Sequence, residues 1–98
     1  MVAYVVVDTK ITNPEVYETY KAQAKPIAEK YGGIYRTRGG EMDVLETDLW
    51  TPTRIVIVEF PSMQAARDFA HSEEYQPVKA IRHANAECTL AIVDGFTA

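Results

Sequence analysis

The chain carries one cysteine, Cys88, in 98 residues, so no disulfide can close within it. A lone thiol with no histidine beside it reads as a buried structural group, and it suits a reducing compartment; the expected location is the cytoplasm. Histidine is nearly as scarce. His71 and His83 stand twelve positions apart with no convergent set of ligands around them, so neither a metal site nor a haem ligand is expected. No G-x-S-x-G, Walker A or G-x-G-x-x-G pattern occurs, and Gly32-Gly33 and Gly39-Gly40 read as caps or bulges. No cofactor is therefore expected. Long apolar runs are missing too: the opening Met1-Val2-Ala3-Tyr4-Val5-Val6-Val7 is too short to span a membrane and lacks the basic flank of a signal peptide. Positive charge is in deficit. A net charge of −4 and a pI near 5.1 predict no general affinity for nucleic acid or anionic lipid.

What is present is a soluble-domain composition, 47% hydrophobic and 24% charged, in a length that suits a single domain over 1–98. The most informative stretch is Arg54-Ile55-Val56-Ile57-Val58-Glu59-Phe60. It is β-branched and apolar at both parities, which predicts a central strand covered on both faces. A first strand is expected from Val2 to about Lys10, where Val5, Val6 and Val7 again suggest two covered faces. Asn13-Pro14-Glu15 then starts a helix: Asn caps free N–H groups, Pro suits the first turn, and an early Glu complements the dipole. Val16, Tyr17, Tyr20, Ala24, Ile27, Ala28 and Tyr31 define its apolar face; Pro26 should kink it, and Gly32-Gly33 should end it.

Ile34–Arg38 is the next strand, interrupted by Gly39-Gly40 and continued over 41–46 toward a turn around 47–52. After the central strand, Ser62 caps a helix that buries Ala66, Phe69 and Ala70. Pro77 opens another helical run in which Val78, Ile81 and Ala84 face inward, and residues 87–94 form the last strand. The order βαββαβ, with right-handed crossovers, predicts an α+β, ferredoxin-like antiparallel sheet with helices on one face. Helices can cover only one face, yet three strands are apolar on both. The open face needs a partner, and a second copy packed sheet to sheet is the expected one, with Ile55 and Ile57 at the interface.

Several stretches together resemble a known family. Ala3-Tyr4-Val5-Val6-Val7-Asp8, Tyr31-Gly32-Gly33-Ile34-Tyr35 leading to Arg38-Gly39-Gly40, Val58-Glu59-Phe60-Pro61-Ser62, and Ser72-Glu73-Glu74-Tyr75-Gln76 with Arg82 look like domain of unknown function family 1330. The resemblance covers nearly the whole chain. It implies a dimeric α+β barrel of ferredoxin-like subunits, in a superfamily that also holds cofactor-free monooxygenases, muconolactone isomerases and haem-binding chlorite dismutases. It carries over no catalytic residue.

The candidate site residues are aromatic and charged. Tyr17, Tyr20 and Tyr31 sit at core spacing, whereas Tyr4, Tyr35, Trp50 and Tyr75 are candidates to line a pocket between helices and sheet, with plain packing as the alternative. A hairpin turning at about residues 48–49 sets Arg38 near Glu59, either as a structural ion pair or as a base and an anion anchor. An RNA-binding sheet would need mid-strand aromatics where Ile57 and Val58 stand, so that use is discounted. The expected function is a homodimer that binds a small organic molecule in a pocket of each subunit, extending to a cofactor-free monooxygenase- or isomerase-like enzyme. The rival is a non-catalytic structural or interaction domain whose open sheet face serves only dimerisation.

Overall fold

The computed structural model describes residues 1–96; positions 97 and 98 of the expected 1–98 domain lie outside the described residues. The elements run β1 (Ala3–Ile11), α1 (Pro14–Lys30), β2 (Ile34–Arg38), β3 (Ile55–Phe60), α2 (Met63–His71), α3 (Gln76–Asn85) and β4 (Ala86–Asp94). The strands form one sheet in the order β2-β3-β1-β4, with every neighbouring pair antiparallel. This is the ferredoxin-like α+β arrangement that the element order predicts.

The period-two geometry of a strand divides the sheet into two unlike faces. Ala3, Val5, Val7 and Thr9 of β1 and Val56, Val58 and Phe60 of β3 are buried beneath the helices. Their alternates Tyr4, Val6, Asp8, Ile55, Ile57 and Glu59 are half-buried on the opposite face, which no helix covers. Phe60, Phe69 and Tyr75 stack in series at centroid distances of 5.3 and 4.5 Å and join β3 to α2 and the start of α3.

The helix ends follow local chemistry. Asn13 Oδ1 accepts from the Val16 amide at 3.2 Å, and Ser62 Oγ accepts from the Ala65 amide at 3.0 Å. α1 continues through Pro26 as one element, and Gly32, at φ +88°, takes the left-handed conformation that stops it.

Several expectations are corrected. Residues 41–46 form no strand, and Met42, Val44 and Leu45 are exposed. A continued strand would need the residues before Ile55 as its partner, but the Thr53 and Arg54 amides already donate to Asp8 and Pro52 has no N–H to give. The irregularity in β2 falls between Tyr35 and Thr37 rather than at Gly39-Gly40, while Gly39 (φ +72°) ends the strand. On α3 Val78 is buried, but Ala84 is exposed and Arg82 lies inward instead. Val16, on the expected apolar face of α1, is exposed.

Candidate functional site

A cavity of about 40 Å³ lies between the helices and the sheet. β1 and β3 lay its floor with Val5, Val7, Val56 and Val58, since alternate residues of a strand share a face. α1 supplies Tyr17, Tyr20 and Lys21, one turn of helix apart. α2 and the start of α3 add Phe69 and Tyr75. Tyr35 of β2 and Leu90 of β4 also line it, and three arginines complete the wall: Arg38 from the end of β2, Arg54 just before β3, and Arg82 from α3. Among the described residues, no Asp or Glu lines the cavity.

Each arginine is held differently. Arg38 Nη2 donates to the Lys21 carbonyl at 2.8 Å, and the guanidinium lies 4.6 Å from the centre of the Tyr35 ring. Arg54 Nη1 donates to Thr9 Oγ1 at 3.4 Å and its guanidinium lies 5.7 Å from the Tyr17 ring centre. Gly39 makes room for it, because a Cβ at that position would collide with the Arg54 guanidinium. Arg82 is 4% exposed, and its Nε has no hydrogen-bond partner. Burial alone would weaken the Arg82 charge, but Tyr75 and then Cys88 and Tyr20 favour it, and its pKa lies above the ordinary arginine value. The ion pairs among the described residues are Lys21–Glu18, Lys25–Glu29, Lys30–Glu74 and Arg36–Glu59, so none of the three cavity arginines is in one.

Tyr17, Tyr20 and Tyr35 do not neutralise them. The hydroxyls of Tyr20 and Tyr75 share a 2.7 Å hydrogen bond. Burial, then the charge and hydrogen bond of Tyr75, push the Tyr20 pKa far up. Burial likewise raises Tyr17 against the pull of Arg54, and Tyr35 against that of Arg38. These three phenols stay protonated at neutral pH.

Of the candidates read from the sequence, Tyr35, Arg38 and Tyr75 come together here. Tyr4 and Glu59 lie instead on the open sheet face, where Ile55 and Ile57 also stand as expected; Trp50 and Ile55 line a largely apolar hollow there of about 460 Å³ with Val6, Ala91 and Val93. The expected Arg38–Glu59 pair does not form. Pairing Ile34 with Glu59 and Arg38 with Val56 puts the two side chains on opposite faces, and Glu59 is taken by Arg36 at 3.3 and 3.4 Å. The cause is the connection over 39–54, which is a long irregular loop and not a tight hairpin, together with the irregularity at Arg36. Arg54, Arg82 and Tyr20 were not read as site residues. Arg82 had a signal: Tyr75, Val78 and Arg82 are spaced by three and four, so an arginine stands on the apolar stripe of α3.

Among the described residues, no group of three or more His, Cys, Asp or Glu side chains is arranged to hold a metal ion, and no helix is long and apolar enough to cross a membrane.

The fold is shared with solved structures at low identity. A protein of unknown function from Rhodopseudomonas palustris superposes with a TM-score of 0.76 at 17% identity, over 99% of this chain and 84% of that one. A dimeric ferredoxin-like protein of unknown function from Jannaschia has a TM-score of 0.71 at 13% identity, over 97% and 100% of the two chains. A cofactor-independent oxygenase from Streptomyces nogalater has a TM-score of 0.70 at 11% identity, over 99% and 95%. No curated protein sequence matches the chain. Residues 2–96, from the first strand to the end of the described chain, match the family described as Domain of unknown function (DUF1330), and to that family the chain belongs.

Proposed function

We propose that the protein acts as a homodimer in the cytoplasm and binds a small organic molecule in the cavity between helices and sheet. The observation that carries this reading is Arg82. A guanidinium that is 4% exposed, lines a cavity and leaves its Nε unbonded is costly unless something else meets it. Ligand sites are apolar hollows with a few convergent polar groups, and this cavity has that make-up. The dimer is supported by the uncovered sheet face with its half-buried Val6, Ile55 and Ile57, and by the dimeric relative from Jannaschia. Cys88, the lone cysteine, is free and half-buried, in keeping with a reducing compartment.

A second reading, catalysis without a cofactor, is favoured by the likeness to the Streptomyces nogalater oxygenase and by two hydroxyls poised at the cavity. Native mass spectrometry of the protein drawn from its own cells tests the first reading. The expected species has twice 11.0 kDa plus the mass of a retained small molecule. An empty monomer would overturn both the dimer and the ligand.

A further inference from the structure

We infer that the ligand is a small organic acid whose carboxylate is met by Arg82, with the half-buried Arg38 and Arg54 lining the same cavity and its apolar part against the valines and aromatic rings. This rests on the reading of the cavity as a ligand site and adds the chemical class.

Two groups at the cavity hold hydrogens that meet no acceptor. Arg82 Nε–H is a buried donor without an acceptor, on a residue that lines the cavity. The Tyr20–Tyr75 pair is a second source. Two hydroxyls bring two hydrogens, but the bond between them uses one, so whichever donates, the other hydrogen is left for a further acceptor. Both groups call for an acceptor, and among the described residues no carboxylate lines the cavity to provide one.

Charge points the same way. The chain carries 14 acidic and 10 basic residues, yet four of the ten basic ones, Lys21 among them, line this cavity. Lys21 has Glu18 at 3.2 Å, and the three arginines have no such partner. A buried cation without a counter-ion is unfavourable, and a guanidinium fork matches a carboxylate in shape. Size excludes a peptide or a nucleotide: about 40 Å³ suits a small acid whose carboxylate and short apolar part share the one cavity. The walls decide between a carboxylate and inorganic phosphate. Val56, Val58, Phe69 and Leu90 offer apolar surface, which rewards a hydrocarbon body and gives nothing to a bare oxyanion.

The test uses the intact protein and benzoate against benzamide, which share a ring and differ in charge, with inorganic phosphate as a third probe, all at one ionic strength. The readout is the Arg82 Nε–H resonance, followed by NMR through each titration. The expected result is a saturable shift with benzoate, at least about tenfold weaker or absent with benzamide, the discrimination expected of a hydrogen-bonded charge. Arg38→Gln, at a half-buried lining position, should weaken benzoate and leave benzamide unchanged. Arg82→Lys, which retains the charge without the Nε donor, should also lose benzoate if it folds; the wild-type resonance carries the test if it does not. Equal binding of benzoate and benzamide would overturn the acid class and leave the cavity a ligand site. Phosphate saturating the resonance while benzoate does not would overturn the organic body. No shift with any probe, together with an empty native mass spectrum, would overturn both readings.

Discussion

The hydroxyl oxygens of Tyr20 and Tyr75 lie 2.7 Å apart, 55 residues apart in sequence, and their bond ties α1 to the start of α3 across the cavity. Tyr20→Phe removes this tie and should cost about 1 kcal/mol of unfolding free energy in a urea titration. A larger loss, with disturbed near-ultraviolet dichroism, would mean that the pair organises the core.

Three phenols set an alkaline limit. Burial raises Tyr17, Tyr20 and Tyr35 above the ordinary value of 10.0. A group that ionises more easily unfolded than folded favours the unfolded chain once pH exceeds its unfolded pKa. Stability should therefore be level below about pH 10 and fall above it. Melting temperatures measured between pH 8 and 11 check this, and a curve that stays flat to pH 11 contradicts it.

Asp8 governs the acid side. Its two oxygens accept from the Trp50 indole and from the Thr53 and Arg54 amides, each at 2.9 Å. Desolvation pushes its carboxyl up, but these hydrogen bonds outweigh it and hold the pKa below 3.8. A depressed folded pKa contributes stability above the unfolded value that is lost as pH falls through the folded one, so the loss should come below about pH 4. Asp8→Ala should cost about 1–2 kcal/mol at neutral pH and flatten that acid limb. It should also raise hydrogen exchange at residues 53 and 54.

Glu59 and Arg36 pair on the open face with side chains 22% and 52% exposed. Such a pair contributes little, and Glu59→Gln should change stability by less than about 1 kcal/mol. Benzoate binding should not change, because Glu59 lies on the face away from the cavity. A loss of binding with stability intact would return Glu59 to the site.

Ile57→Asp puts a carboxylate in the middle of the sheet face proposed to be shared. Light scattering at micromolar concentration should give twice 11.0 kDa for the wild type and either 11.0 kDa or aggregated, unfolded protein for the variant. A wild-type monomer would remove the dimer, and a variant dimer of unchanged affinity would move the interface elsewhere.

Strand and helix placement was legible because it depends on local period. The doubly apolar run Ile55–Val58 identified the centre of the sheet, and Asn13 and Ser62 marked two helix starts. The partner of Glu59 was not legible. Register depends on how the loop over 39–54 closes, and that loop is held by Asp8, far away in sequence. A hairpin count assumes the intervening residues pair, and here they do not. Tyr35, Arg38 and Tyr75 were legible as chemistry-bearing residues, but convergence on one cavity is tertiary. Arg82 was not legible as a site residue, because charged side chains are rarely buried and its burial is set by tertiary packing.

Arg54 belongs to both faces of the sheet. Its amide donates to Asp8 on the open side, its carbonyl accepts from the Thr9 amide at 3.0 Å, and its guanidinium reaches Thr9 Oγ1 on the helix-covered side. A partner pressing on Asp8 and Trp50 and an acid drawn to the guanidinium would act on the same few atoms. Thermodynamic reciprocity then requires that any factor by which benzoate tightens the dimer is the factor by which the dimer tightens benzoate. Dimer dissociation constants measured with and without benzoate give that factor, and a value of one would mean that the single peptide unit bridging the faces is a rigid divider and not a lever.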